Sequence, residues 1–467
     1  MKRNKPVISG TTRPESIARR RQMMDSKTLD QMIGNSRRKA LVGGCAIVLA
    51  ISGQAASAST YYIANNGSDS NAGTLAKPFA SFSAATLKMV PGDTLYVRGG
   101  LYNLTARQIV RGNGSASSYQ NILAYPGETP VFDAAKVGAG NDAFTVQGQY
   151  INFGGFEIKN SPKNGLVVWG GQHMTIQNCS LHDCQQSGFL AMYSTNWTVN
   201  DITVTGCSVY NTCMMNAPAA RGTATSWSSA MSFLLASNIK AKNNVVFNNY
   251  GEGIDFNRCQ NSTMNHNTIY DNYSVNAYLD NGISCDVSNN LIYSTGNTKF
   301  FRNGLAASGI QCAIEPSSYS GAIGLTNCTI QYNYVVNTGS GFCYGNYGLG
   351  GGMKNCLVQF NTFYKASGCM LSLAADKGHA NNTFTNNIWC QANSGSMVYN
   401  GATTGVNFSQ NCWYGGLSEK SYAGAGDIKS DPRFYTPGVY NTTGYRLLPG
   451  SPCLNKNMGA AVTAISP

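Results

Sequence analysis

Between Asn248 and Cys259 the chain reads NNYGEGIDFNRC, which sets two acids, Glu252 and Asp255, and Arg258 within seven residues of a protein only 12% charged. Tyr278 and Asp280 follow, then Lys299 and Arg302. Paired carboxylates can hydrolyse a glycosidic bond, with retention when about 5 Å apart and inversion when farther. An acid, a base and a cation suit a different reaction, β-elimination from a uronate. There the sugar carboxylate is neutralised, a base takes the C5 proton and an acid meets the leaving oxygen. The neutralising charge can come from hard calcium held by carboxylates or from basic side chains.

Whether these residues meet depends on the elements that carry them, and a short internal repeat supplies the rule. The segments KNNVVFNN, HNTIYDN and SNNLIYS place Asn244, Asn267 and Asn290 at intervals of 23 residues, and Asn333, Asn361, Asn387 and Asn411 sit in similar settings further on. Upstream, Cys179 and Cys207 take the same place. Each unit holds short strands with alternating apolar residues and cannot bury its own apolar face, whereas stacked units bury one continuous core. The pattern predicts an all-β solenoid, a parallel β-helix with about 23 or more residues per coil. A shift of 23 then puts Met231, Ile254 and Ala277 in one inward column and Phe233, Phe256 and Leu279 in another. The outward columns become Ser232, Asp255, Tyr278 and Leu234, Asn257, Asp280, facing solvent, with Glu252 and Arg258 at the strand ends. On the next coil Lys299 and Arg302 come to the same face, which gathers these groups within about 10–15 Å. The same residues also read as ordinary surface charges and turn carboxylates. His266, beside the asparagine column, reads as turn structure.

The remaining numbers narrow the class. The 467 residues are 42% apolar, with 52 glycines and 26 tyrosines, as many strands and turns require. Residues 1–39 carry eleven Lys/Arg against three acids, followed by an apolar run over 40–52 and Ala56-Ser57-Ala58. Residues 1–58 therefore read as an export signal, twin-arginine-like at Arg37-Arg38, and the product is expected to be secreted or periplasmic. Without it the formal charge drops from +12 to +4 (22 basic, 18 acidic residues), so nucleic acid is not the expected partner and no stable membrane insertion is expected. Fourteen cysteines remain. Cys179/Cys207, Cys184/Cys213, Cys328/Cys356 and Cys343/Cys369 fall near one another on successive coils, as disulfides or as a ladder of buried thiols.

Residues 59–467 read as one domain and a monomer. An N-terminal cap over about 61–100 includes a helix near Phe79 to Met89, and a closing segment covers about 427–467. Irregular excursions are expected at about 213–229, 302–324 and 337–352. Arg221 and Trp227 in the first, with Glu315 and Tyr347 in the later ones, are candidate walls of a sugar site, and Trp169, Tyr193 and Trp227 are candidate sugar platforms.

The opening YYIANNGSDSNAGT…KPFASFSAA…MVPGDTLYVRGGLY and the N-x-[IVL]-[YF] coils resemble the right-handed parallel β-helix proteins of the pectate-lyase-like superfamily, over about residues 60–455. Polysaccharide lyase family nine has this opening, as do glycoside hydrolases, epimerases and surface proteins. Similarity to family nine implies calcium on Asp255 and Asp280 and Lys299 as base. That family has a denser acidic cluster around a D-G-[FY]-D-L-like segment, where this chain has GEGIDF. The expected protein is a secreted polysaccharide lyase acting on an acidic polysaccharide. Its catalytic groups would be Lys299, Tyr278, Glu252 and Arg302, and its substrate contacts Arg258, Asn257, Arg221 and Trp227. A glycoside hydrolase using the paired carboxylates, or a glycan-binding β-helix without catalysis, remains the alternative.

Overall fold

A computed structural model describes residues 58–193, 198–220, 227–315, 324–348, 350–401, 404–417 and 424–460. The paired strands that form the coils run parallel, each hydrogen-bonded to its counterpart on the next coil. The inward columns follow the expected register: Met231 lies beside Ile254 and Ile254 beside Ala277, while Phe233, Phe256 and Leu279 form the second column. All six are buried.

The asparagine column is a hydrogen-bonded ladder. The Asn267 carboxamide oxygen accepts from the Asn244 backbone N–H and from its Nδ2, at 3.0 and 3.1 Å, and Asn290 does the same for Asn267. The pattern runs through Asn333, Asn361 and Asn387 to Asn411, and Asp427 accepts the last N–H. At the other end the Cys207 N–H donates to Asn244 Oδ1 and the Cys179 N–H to Cys207 Sγ. Each rung needs the preceding residue in the left-handed region, taken by Asn243, His266 and Asn289 at φ near +55°. That conformation costs a non-glycine residue about 1 kcal/mol, which the ladder offsets. His266 is thus a turn residue.

Removing one rung leaves buried donors and acceptors without partners, so Asn290→Ala is expected to cost about 2–4 kcal/mol. Urea unfolding followed by circular dichroism would measure it.

The cap helix spans Phe82–Lys88, later than the pattern suggests, because Ser81 serves as N-cap and accepts from the Ala84 N–H. Phe79 instead makes a parallel bridge to Ile63. Phe82 closes the core end against Phe132 and Phe144. Two expected excursions contain rungs: Ser308–Ile314 pairs with Val275–Asp280, and Tyr334–Asn346 pairs with Ser308–Ile314. The loop after Tyr293 lengthens the repeat, so that Asn290 and Asn333 lie 43 residues apart yet adjacent in space. A fixed shift of 23 loses the register there.

The fourteen cysteines are thiols, all buried except the partly exposed Cys343 and Cys369. Phe434, Tyr445, Leu447 and Met458 pack along the flank of earlier coils against Val336, Ile388 and Cys412. Tyr440 stacks on Tyr293 at 4.7 Å, extending a column that runs from His182 through Tyr210, Phe247 and Tyr270.

Candidate functional site

Strands Met231–Leu234, Ile254–Asn257, Val275–Asp280 and Ser308–Ile314 lie side by side. Their outward columns run Ser232, Asp255, Tyr278, Gln311 and Leu234, Asn257, Asp280, Ala313, as pleat alternation requires. The expectation that they face solvent is corrected: Asp255, Tyr278 and Asp280 are only 6, 5 and 4% exposed. Residues of the neighbouring loops cover them. Above lies a cleft of about 570 Å³ with Trp227, Glu252, Tyr278, Arg302, Glu315 and Tyr347 in its wall.

The two loops meet across this cleft. The Arg302 guanidinium stacks 4.6 Å from the centre of the Trp227 ring, and Nη1 donates to Ser274 Oγ at 3.1 Å. Trp227 is fixed from the other side, its indole N–H donating to Glu252 Oε2 at 2.5 Å. The Tyr278 hydroxyl donates to Glu315 Oε1 in a short hydrogen bond. Tyr347 OH accepts from Gln311 Nε2.

Beneath, Ser229 Oγ lies 3.1 Å from Glu252 Oε2 and 3.0 Å from Asp255 Oδ2. One hydroxyl proton cannot serve two carboxylates, so the bridge is satisfied when one of them is protonated. Burial raises the pKa of Glu252, and burial with the nearby Asp280 and Glu252 charges raises that of Asp255 well above the usual range. Asp280, buried and facing Glu315, is pushed up to about 7, although Asn281 and Arg258 oppose the shift. Burial, then the Asp280 and Glu315 charges, also raises Tyr278, which therefore stays protonated.

A carboxyl with a raised folded-state pKa binds more protons folded than unfolded, so its contribution is present below about pH 4 and is lost as pH rises through about 7. Stability is expected to fall across that window by up to about 4 kcal/mol from Asp280. In Asp280→Asn the slope should flatten, as urea midpoints from pH 4.5 to 8 would reveal.

Of the residues the sequence singles out, Glu252, Tyr278, Arg302 and Trp227 come together in the cleft, joined by Glu315 and Tyr347. Asp255 and Asp280 lie under its floor. Asn257 donates to Asp280 Oδ2 at 2.6 Å. Arg258 is buried with φ +56°, and its backbone N–H donates to the Asp280 carbonyl oxygen. Both serve the floor and neither is in the cleft wall. Lys299 sits on the exposed turn Thr298–Phe300, its Nζ 5.6 Å from the Phe300 ring and outside the wall. Arg221 lies outside the described residues. Sequence reasoning missed Ser229, Ser274 and Gln311. Gln311 follows from the register once the repeat is known to lengthen, and Ser229 stands one 23-residue interval before Glu252, whereas Ser274 carries no signal in its spacing.

Calcium, which the resemblance implies, takes about six to eight oxygen ligands. Both Asp280 oxygens hold amide donors, from Asn257 and Asn281, and Asp255 Oδ2 holds Ser229. Asp255 Oδ1, Asn257 Oδ1 and Asn281 Oδ1 are buried acceptors without a hydrogen-bond partner there. Among the described residues no group of three or more His, Cys, Asp or Glu could hold a metal.

A family model described as Pel9A-like, right handed beta helix region, matches residues 61–231. The chain is 33% identical over 151 residues to pectate lyase L of Paenibacillus polymyxa, covering 30% of this chain and 33% of that one. It is 28% identical over 142 residues to pectate lyase L of Dickeya chrysanthemi, covering 27 and 32%. The chain thus spans about a third of the length of these curated relatives. Among solved structures, the PL6 family alginate lyase AlyGC superposes with TM-score 0.53 and 13% identity over 86% of this chain and 57% of that one. That likeness is one of fold. The protein is a right-handed parallel β-helix with an N-terminal capping helix, as expected from the sequence, and its residues 61–231 are similar to the Pel9A-like β-helix region. The matched family region ends at residue 231, so most of the cleft wall lies beyond it. Among the described residues no helix is long and apolar enough to cross a membrane.

Proposed function

We propose that this protein is an exported polysaccharide lyase that cleaves a uronate-containing polysaccharide by β-elimination, with basic side chains in place of calcium. The observation that carries the reading is the pairing of Arg302 with a protonated Tyr278 hydroxyl and the Glu315 carboxylate in one cleft. Similarity of the N-terminal coils to pectate lyases supports the reaction class.

Arg302, held over the Trp227 ring, offers its remaining N–H groups to the sugar carboxylate and makes the C5 proton more acidic. Glu315 takes that proton, the C4–O bond breaks, and Tyr278 gives its proton to the departing oxygen. The hydrogen bond between Tyr278 and Glu315 then returns the proton, which resets both groups. Burial favours the neutral form of Glu252 and Asp255, which makes the floor less negative, so an anionic substrate meets less repulsion. Asp255 and Asp280 thus shape the field below the cleft, and Lys299 takes no part.

The test is ultraviolet absorbance from unsaturated product with polygalacturonate, alginate and other uronate polymers, with and without chelator. The reading expects a chromophore that survives chelation; no chromophore from any polymer would overturn it. A second reading rests on Glu252 and Glu315 sharing the cleft wall, with the Glu252 pKa raised by burial, as an acid and base for hydrolysis. New reducing ends without the chromophore would favour that reading.

A further inference from the structure

The outward column that carries Tyr278 continues along the molecule. Tyr278 lies beside Gln311, Gln311 beside Cys343, Cys343 beside Ser372, and Ser372 beside Tyr399. Four rungs of roughly 4.8 Å put Tyr399 about 19 Å from Tyr278. Tyr347, at the cleft wall, is 50% exposed, and Tyr399 is 63% exposed. Cys343 and Ser372 between them are partly exposed, so the face stays open above this stretch. In the opposite direction Ser232 and Leu234 are buried, and the exposed Trp169 is cut off from the cleft. A tyrosine ring with so much free surface on the same face as the cleft wants a partner with an apolar side and polar edges, which a pyranose supplies.

Resting on the lyase reading above, we propose that the substrate is a long acidic glycan that leaves the cleft past Tyr347 and runs along Cys343 and Ser372 to a distal sugar platform at Tyr399. Sugars bound there lie too far from Tyr278 and Arg302 to react. Their contribution is to retain the polymer and set how long a chain is needed for full affinity.

The test uses the whole protein and two variants, Tyr399→Ala, which removes the platform, and Ser372→Trp, which obstructs the path. Affinity electrophoresis through polygalacturonate gels, and through alginate gels in parallel, measures retention without requiring turnover. KM is compared between the polymer and a uronate trisaccharide, which fits the cleft alone. Both variants are expected to lose about 5- to 10-fold in retention and in polymer KM, with trisaccharide kinetics and unfolding midpoint as in wild type. Retention and polymer KM equal to wild type in both variants would overturn the platform, even if unsaturated product forms. Weaker retention without any unsaturated product from wild type would leave the platform standing and remove the lyase reading. Equal losses on polymer and trisaccharide would also overturn it, since a distal platform leaves short substrates untouched.

Discussion

Tyr278→Phe is expected to lower kcat for unsaturated product by about 10²- to 10⁴-fold. The substitution removes one oxygen and keeps the ring, which packs with Val275 and Ala313 in a small buried cluster, so the fold is not at risk. What is lost is the proton that meets the departing sugar oxygen, together with the hydrogen bond that returns it from Glu315. KM should change little, because the hydroxyl acts in the transition state more than in ground-state binding. Steady-state kinetics on the most reactive polymer decides the matter, and a variant within about twofold of wild type would take Tyr278 out of the reaction.

The second large effect separates two cations that lie three residues apart in sequence. Arg302→Ala is expected to reduce kcat/KM by about 10²- to 10³-fold, while Lys299→Ala stays within about threefold because Lys299 stands on an exposed turn outside the cleft wall. Arg302→Lys should fall between. It restores a positive charge but not the flat guanidinium that rests on Trp227 and can grip a carboxylate with two parallel N–H groups. If instead Lys299→Ala abolished turnover and Arg302→Ala did not, the assignment of the charged partner would be reversed.

The architecture was legible because one column of asparagines repeats at a constant interval over Asn244, Asn267 and Asn290, and a parallel solenoid turns that interval directly into stacking. From it the pairing of Asp255 with Tyr278, and of Asn257 with Asp280, follows correctly. Two things did not follow. Alternation tells which side of the sheet a residue takes, but not whether a loop lies over it, so residues read as solvent-facing proved to be a covered floor. The interval also breaks after Asn290, where an insertion carries Lys299 to an exposed turn and brings Arg302 to the cleft. Nearness of Lys299 and Arg302 in sequence could not distinguish their positions. Glu315 was visible as a residue of a later loop, but its contact with Tyr278 depends on that loop's path.

The closing segment bears on how the molecule is made. Tyr440, Tyr445 and Phe434 cover aromatic residues of coils that precede them by many turns: Tyr293, Tyr334 and Tyr364. A ribosome delivers those coils long before it delivers their cover, so a nascent chain presents a greasy, unsatisfied flank until its last residues emerge. Premature termination before residue 434 would therefore yield coils able to stack yet prone to clump with one another, which ties quality control of this protein to the arrival of its tail.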